Sequence, residues 1–278
     1  MTDILLNIAG RIEPWLLSTL ERVCRVIEGL GLPYVLVGAT ARDLVMHHAY
    51  GASAQRATRD VDFAVEVEDW AAFEAIRASL LRQGFRATGV SHRLQHHPGV
   101  LVDIIPFGRI GDERAVIAWP PRGDIEMSVL GFREACDAAL RVRVREAPVL
   151  DVPVVSPEGL ALLKLMAWMQ RPQEQRRKDA TDLAYVLCHY EAIPENREVL
   201  YDAACTDIME AYGWDLSLAA AWLLGRRVRA MSPPKARLGI GALISGESKP
   251  LSLERLAMEM GGQKRDAQRL RAFVDGLG

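Results

Sequence analysis

The stretch Arg59-Asp60-Val61-Asp62-Phe63-Ala64-Val65 sets two aspartates one residue apart in a run that is otherwise apolar, β-branched or aromatic. Such a run reads as a strand. Side chains at i and i+2 of a strand share a face, roughly 7 Å apart along it. Asp60 and Asp62 therefore present two carboxylates side by side. A buried carboxylate is costly unless it is paired or bound to metal, and carboxylate oxygens suit hard divalent ions such as Mg²⁺. The bland alternative is that Asp60 caps the strand and only Asp62 faces water.

Upstream, Leu16, Leu20, Val23, Ile27 and Leu30 recur at helical steps, which predicts an amphipathic helix over 13–30 that ends at Gly31 and Pro33. A short apolar strand, Tyr34-Val35-Leu36-Val37, runs into Gly38-Ala39-Thr40-Ala41-Arg42-Asp43, read as a helix starting at Gly38. Strand, small residues and helix N-terminus can hold a phosphate on unpaired first-turn N–H groups. Thr40 offers a hydroxyl, although a glycine at such a junction is also an ordinary tight turn. Residues 46–59 read as a loop with a solvated pair, His47 and His48. Arg56 and Arg59 either sense a triphosphate or balance the local acid.

Downstream, Asp69 is expected to cap a helix over 70–83 with Gly84 at its end. Trp70 belongs to the buried stripe. Residues 85–96 read as a strand or hairpin, with His92, Arg93, His96 and His97 exposed rather than gathered round zinc. The next apolar strand, Val100-Leu101-Val102-Asp103-Ile104-Ile105-Pro106, carries one carboxylate in its middle, where propensity and desolvation both disfavour it. Either Asp103 completes a three-carboxylate site with Asp60 and Asp62, or the strand is an edge and Asp103 faces water. Arg141, Arg143 and Arg145 alternate with valines and predict a strand with one basic face, solvated or in contact with an RNA backbone.

From Ser156 the periodicity changes from two to 3.6, so the boundary between an α/β part (1–150) and a helical part (151–278) falls at 150–156. Lys164, the first lysine of the chain, sits among Leu160, Ala161, Ala167 and Trp168. Its ammonium must snorkel out or meet a negative partner. The next helix, about 174–190, contains Arg176-Arg177-Lys178-Asp179-Ala180-Thr181-Asp182-Leu183, in which Asp179 and Asp182 share a face. Further helices are expected at about 195–211, 215–230, 235–246 and 252–274. Met209, Tyr212, Trp214 and Trp222 are expected in the core, and Arg226, Arg227, Lys264 and Arg265 on the surface.

The 278 residues carry a net charge of −2, and both halves are near balance, so no basic domain announces nucleic-acid binding. A local basic groove remains compatible with it. The four cysteines show neither metal nor redox spacing and fit a reducing compartment. No signal peptide and no apolar run of about 18 residues is found, so a cytoplasmic protein without membrane contact is expected.

Taken in order, strand, Gly-small-Thr, helix, Asp-x-Asp strand, helix and Asp-bearing strand resemble the nucleotidyltransferases of the DNA polymerase beta superfamily. Tyr34 to Leu44 followed by Thr58-Arg59-Asp60-Val61-Asp62-Phe63 resembles the Gly-Gly-x-x-Arg-Asp…Asp-x-Asp pattern of tRNA-nucleotidyltransferase-like enzymes. Lys164 with Lys178-Asp179-x-x-Asp182-Leu183 is similar to the second-domain signature of AbiEii-type toxin nucleotidyltransferases. The resemblance implies an α+β fold, a mixed sheet with flanking helices followed by a helical domain. It implies that Gly38, Ala39, Thr40, Arg42, Arg59 and Lys178 bind an NTP. Asp60, Asp62 and Asp103 would hold two Mg²⁺ ions, Lys164 would touch the triphosphate, and Asp182 would orient Lys164 or the substrate. One departure is Ala39, where the family has Ser or Gly; it leaves a backbone N–H but no hydroxyl. Three readings stay open: a toxin-like enzyme acting on RNA such as a tRNA end, with an antitoxin partner; a small-molecule enzyme of the aminoglycoside adenylyltransferase kind; and an inert nucleotide- or RNA-binding module.

Overall fold

The computed structural model describes residues 5–54, 59–97, 99–248 and 250–278. Arg56 and Thr58 lie outside the described residues. The chain divides into two compact units, Met1–Ala49 with Ser53–Ser156, and Tyr50–Ala52 with Pro157–Gly278. The short insertion of 50–52 into the helical unit has no periodic signature, so the sequence does not announce it.

The first unit runs β1 (Leu5–Asn7), α1 (Pro14–Gly29), β2 (Tyr34–Val37), α2 (Gly38–Arg42), β3 (Asp60–Glu66), α3 (Trp70–Arg82), β4 (Arg86–Ala87), β5 (Arg93–Gln95), β6 (Leu101–Phe107), β7 (Val116–Ala118), β8 (Glu126–Ser128), α4 (Phe132–Asp137), β9 (Leu140–Glu146) and β10 (Val149–Val154). Eight strands form one mixed sheet in the order β1-β9-β10-β2-β3-β6-β5-β4, and β7 and β8 make a separate hairpin. β3 lies between antiparallel β2 and parallel β6. Phe63, Ala64 and Val65 are fully buried in succession, as expected where a central strand is covered on both faces. Only the Asp60 end keeps the alternation of exposed and buried residues. Full burial of a side chain such as Phe63 contributes about 1.5–3 kcal/mol.

Local signals hold at several helix ends. Asp69 accepts a bond from the Ala72 N–H at 2.8 Å, and Gly84 takes the left-handed conformation just past α3. The loop expected from residue 46 begins later: after Arg42 the helix widens into a π-helical turn, Asp43–Ala49, which carries His47 and His48. Two of the three histidines expected to be exposed in the β4–β5 region are not, His92 and His96, whereas His97 is exposed. His96 is half-buried, stacked on Phe85 and bonded to the buried Thr19 hydroxyl at 2.8 Å. Burial lowers its pKa to about 4. On the basic face of β9, Arg143 pairs with Asp151 and Arg145 with Glu21, and Arg141 is exposed.

The second unit holds α5 (Pro157–Gln170), α6 (Gln173–His189), α7 (Pro194–Tyr201), α8 (Thr206–Ala211), α9 (Leu216–Met231), α10 (Pro234–Ile244), α11 (Leu253–Glu259) and α12 (Lys264–Leu277). The helix expected over 195–211 breaks after Tyr201, where extended Asp202 caps a 3-10 turn. The one expected over 252–274 breaks at Gly261 and Gly262, both at positive φ. α9 and α12 meet at backbone contact: a Cβ at Gly225 would strike the Phe273 carbonyl, and one at Gly276 the Trp222 carbonyl. Trp214, expected in the core, is 57% exposed, because the turn after α8 puts it at φ +60°. Arg227, expected on the surface, reaches Asn196 Oδ1 at 2.6 Å, Tyr190 Oη at 2.8 Å and Glu158 Oε1 at 3.2 Å. No helix among the described residues is long and apolar enough to cross a membrane.

Candidate active site

The acid-bearing end of the sheet follows from register. Asp62 of β3 is the direct partner of Asp103 on parallel β6, and Asp60 is the partner of Leu101. Residues in register on adjacent strands point to the same face, as do i and i+2 on one strand. Asp60, Asp62 and Asp103 therefore emerge from one face of two neighbouring strands. β6 has β3 on one side and β5 on the other, so Asp103 is not on an edge strand.

Gly38 sits against this group. It opens α2 at φ +75°, and a Cβ there would collide with the Asp62 carboxylate. Only glycine tolerates both the backbone conformation and the approach. Thr40 is buried, and its hydroxyl donates to the Asp60 carbonyl oxygen at 2.7 Å. It thus ties the first turn of α2 to the acid strand, rather than offering its proton outward. Arg42 is also buried, and its Nε and Nη2 both donate to Asp43 Oδ1, at 2.9 and 2.7 Å. Burial raises the Asp43 pKa against the pull of that guanidinium. Arg59 is exposed at the mouth of β3, with its side chain beside Gly99.

Asp103 is 8% exposed and is met by a cation that sequence reasoning assigned to an exposed hairpin. Arg93 of β5, its antiparallel partner, donates from Nε to Oδ1 and from Nη2 to Oδ2, each at 2.7 Å. The bond to Asp103 raises the Arg93 pKa, with further help from the charges of Asp60 and Asp62. A signal for this pairing exists in the sequence. Arg93 and Asp103 lie five residues on either side of Pro98, within a Pro-Gly turn signature. A hairpin about that centre places them opposite one another.

Three carboxylates on one face, with a glycine-opened helix beside them, match the donor chemistry of a hard divalent ion. Among the described residues no group of three or more His, Cys, Asp or Glu is gathered so that it could hold such an ion. The carboxylate chemistry suits such an ion, but the three acids are not gathered on one point, and both oxygens of Asp103 are taken by the Arg93 fork.

The helical unit holds a second charged cluster. Lys164 Nζ lies 2.6 Å from Asp182 Oδ2 and 3.2 Å from Asp179 Oδ1. Arg171 Nη1 lies 2.7 Å from Asp179 Oδ2. The helical period puts Asp179 and Asp182 on one face of α6. α5 folds back on α6 about Arg171-Pro172, so Lys164 meets that face. Lys178 is exposed. Arg171 and the double engagement of Asp179 were not anticipated.

The family described as nucleotidyl transferase AbiEii toxin, type IV TA system, matches residues 20–265. No curated protein matches the chain. Solved structures similar to it include ANT(2'')-Ia in complex with adenylyl-2''-tobramycin, at 14% identity and TM-score 0.38, covering 74% of this chain and 97% of that one. Another is the Thermotoga maritima CCA-adding enzyme complexed with tRNA, at 13% identity and TM-score 0.30, covering 97% and 82%. Likeness at that level carries no argument, whereas the family match spans most of the chain. The chain belongs to the AbiEii family and is a nucleotidyltransferase.

Proposed function

We propose that this chain transfers a nucleoside monophosphate from an NTP to a hydroxyl of RNA, with a tRNA end as the first candidate acceptor, in the cytoplasm and under control of an antitoxin protein. The observation that carries the reading is the register of Asp62 with Asp103, Asp60 two residues away on the same face and Gly38 packed on Asp62. Mg²⁺ held by these aspartates would supply Lewis-acid activation of the attacking hydroxyl and charge neutralisation at the leaving pyrophosphate.

The remaining roles fall to the chain's own groups. Backbone N–H groups of Gly38, Ala39 and Thr40 receive triphosphate oxygens, because Ala39 has no hydroxyl and Thr40 donates its own to Asp60. Arg59, exposed at the start of β3, supplies positive charge to the NTP, and Lys178, exposed on α6, is a candidate phosphate contact of the helical unit. Buried Arg42 supports the turn through Asp43 instead of meeting the ligand. In the helical unit Lys164 is the candidate phosphate-binding ammonium, and Asp182, at 2.6 Å, orients it. Catalysis is then mainly positioning and electrostatics.

The test is incubation of the purified chain with Mg²⁺, each labelled NTP and total tRNA. Label is expected on RNA, and Asp60→Ala and Asp62→Ala are each expected to reduce transfer about 10³-fold or more. Label on small alcohols alone would replace RNA with a small-molecule acceptor. NTP binding without transfer to any acceptor would sink the enzymatic role. Growth arrest on expression, relieved by a neighbouring open reading frame, would support the antitoxin.

A further inference from the structure

The acid site contains a cation of its own. Both oxygens of Asp103 accept from Arg93 in a side-on fork, the geometry in which guanidinium binds carboxylate most strongly. The fork sits on a slight support: β5 is three residues long, and its outer neighbour β4 only two. The Arg93 side chain is 34% exposed while that of Asp103 is 11% exposed. The arginine therefore has somewhere to go, whereas the aspartate is fixed on an interior strand. Nearby, half-buried His92 accepts the Ile104 N–H at its carbonyl and leans on Trp119, which pins the start of β5 and leaves the Arg93 head to move.

We propose that Arg93 is the resting counter-cation of the acid site, and that a divalent metal gains Asp103 only when the Arg93–Asp103 fork opens. The inference rests on the metal-site reading above and adds a competition to it. In the resting chain Arg93 neutralises the carboxylate that a metal would otherwise bind, and its charge repels the incoming ion. Removing the guanidinium removes both obstacles. A purely structural salt bridge predicts the reverse, because a loosened Asp103 would bind metal less well.

The probe is Mn²⁺ without nucleotide, added to the full-length chain and followed by the electron paramagnetic resonance signal of the free ion. Arg93→Gln is expected to bind Mn²⁺ about tenfold more tightly than the parent, and Asp62→Asn to abolish binding in both backgrounds. Asp62-dependent binding that Arg93→Gln leaves unchanged or weakens overturns the inference alone. No Mn²⁺ binding by any variant, with or without NTP, overturns the metal site and the inference with it. Should Arg93→Gln lack a cooperative melt, Arg93→Lys carries the test. A lysine makes a point contact instead of a fork, so tightening of about two- to threefold is expected, and none overturns the proposal.

Discussion

The acid site of the sheet unit and the lysine site of the helical unit solve the same electrostatic problem in opposite ways. In the sheet, one buried carboxylate, Asp103, is held by one partly exposed arginine on a short strand near the sheet edge. In the helices, Asp179, 1% exposed, is gripped by two cations, Lys164 and Arg171, from a neighbouring helix and its end. The first arrangement lets a charge be exchanged, since the arginine can regain water. The second holds a charge in place, since buried Asp179 keeps one cation when the other leaves.

The comparison breaks most easily at the two acids. Asp179→Ala should cost about 3–5 kcal/mol, because Arg171 loses its buried counter-charge and Lys164 keeps only Asp182. Asp103→Ala should cost only about 1 kcal/mol, because Arg93 turns to solvent. Urea unfolding of both variants reads the difference, and equal costs would erase the contrast. Gly38→Ala is next in size. The left-handed backbone and the collision with Asp62 should together cost about 1–3 kcal/mol. Transfer activity should fall by a larger factor than stability accounts for, since Asp62 must move. A drop in melting temperature with activity intact would show that Asp62 has room to spare.

The smallest effect probes the segment that follows Arg93. His96 titrates near 4 in the folded chain, because burial and the neighbouring charges of His97 and Arg22 disfavour its imidazolium, against an ordinary value of about 6.5. Between those values the unfolded chain binds a proton that the folded chain does not. Stability therefore falls as the pH drops through that window, by on the order of 1 kcal/mol after allowance for partial exposure. His96→Gln should flatten the dependence of melting temperature on pH between about 6.5 and 4. An unaltered slope would free the Thr19–His96 contact of any part in acid sensitivity.

Spacing in the chain was enough to place Asp60 and Asp62 on one strand face, to start a helix at glycine 38, to cap α3 with Asp69 and to mark the change of period at Ser156. These depend on torsions and contacts within a few residues, and the two periods of strand and helix carry them. Tertiary structure decided which cation each acid meets, the Pro-Gly signature between Arg93 and Asp103 being a sequence hint at one of these pairs. Arg93 reaches Asp103 across ten residues, Lys164 reaches Asp179 across fifteen, and Arg143 turns to Asp151 instead of outward. It also left Trp214 in solvent and drew Arg227 onto Tyr190. Periodicity says which face a charge occupies. The register of strands and the fold-back of helices choose its partner, because a buried charge takes whichever counter-charge the packing brings within hydrogen-bond reach.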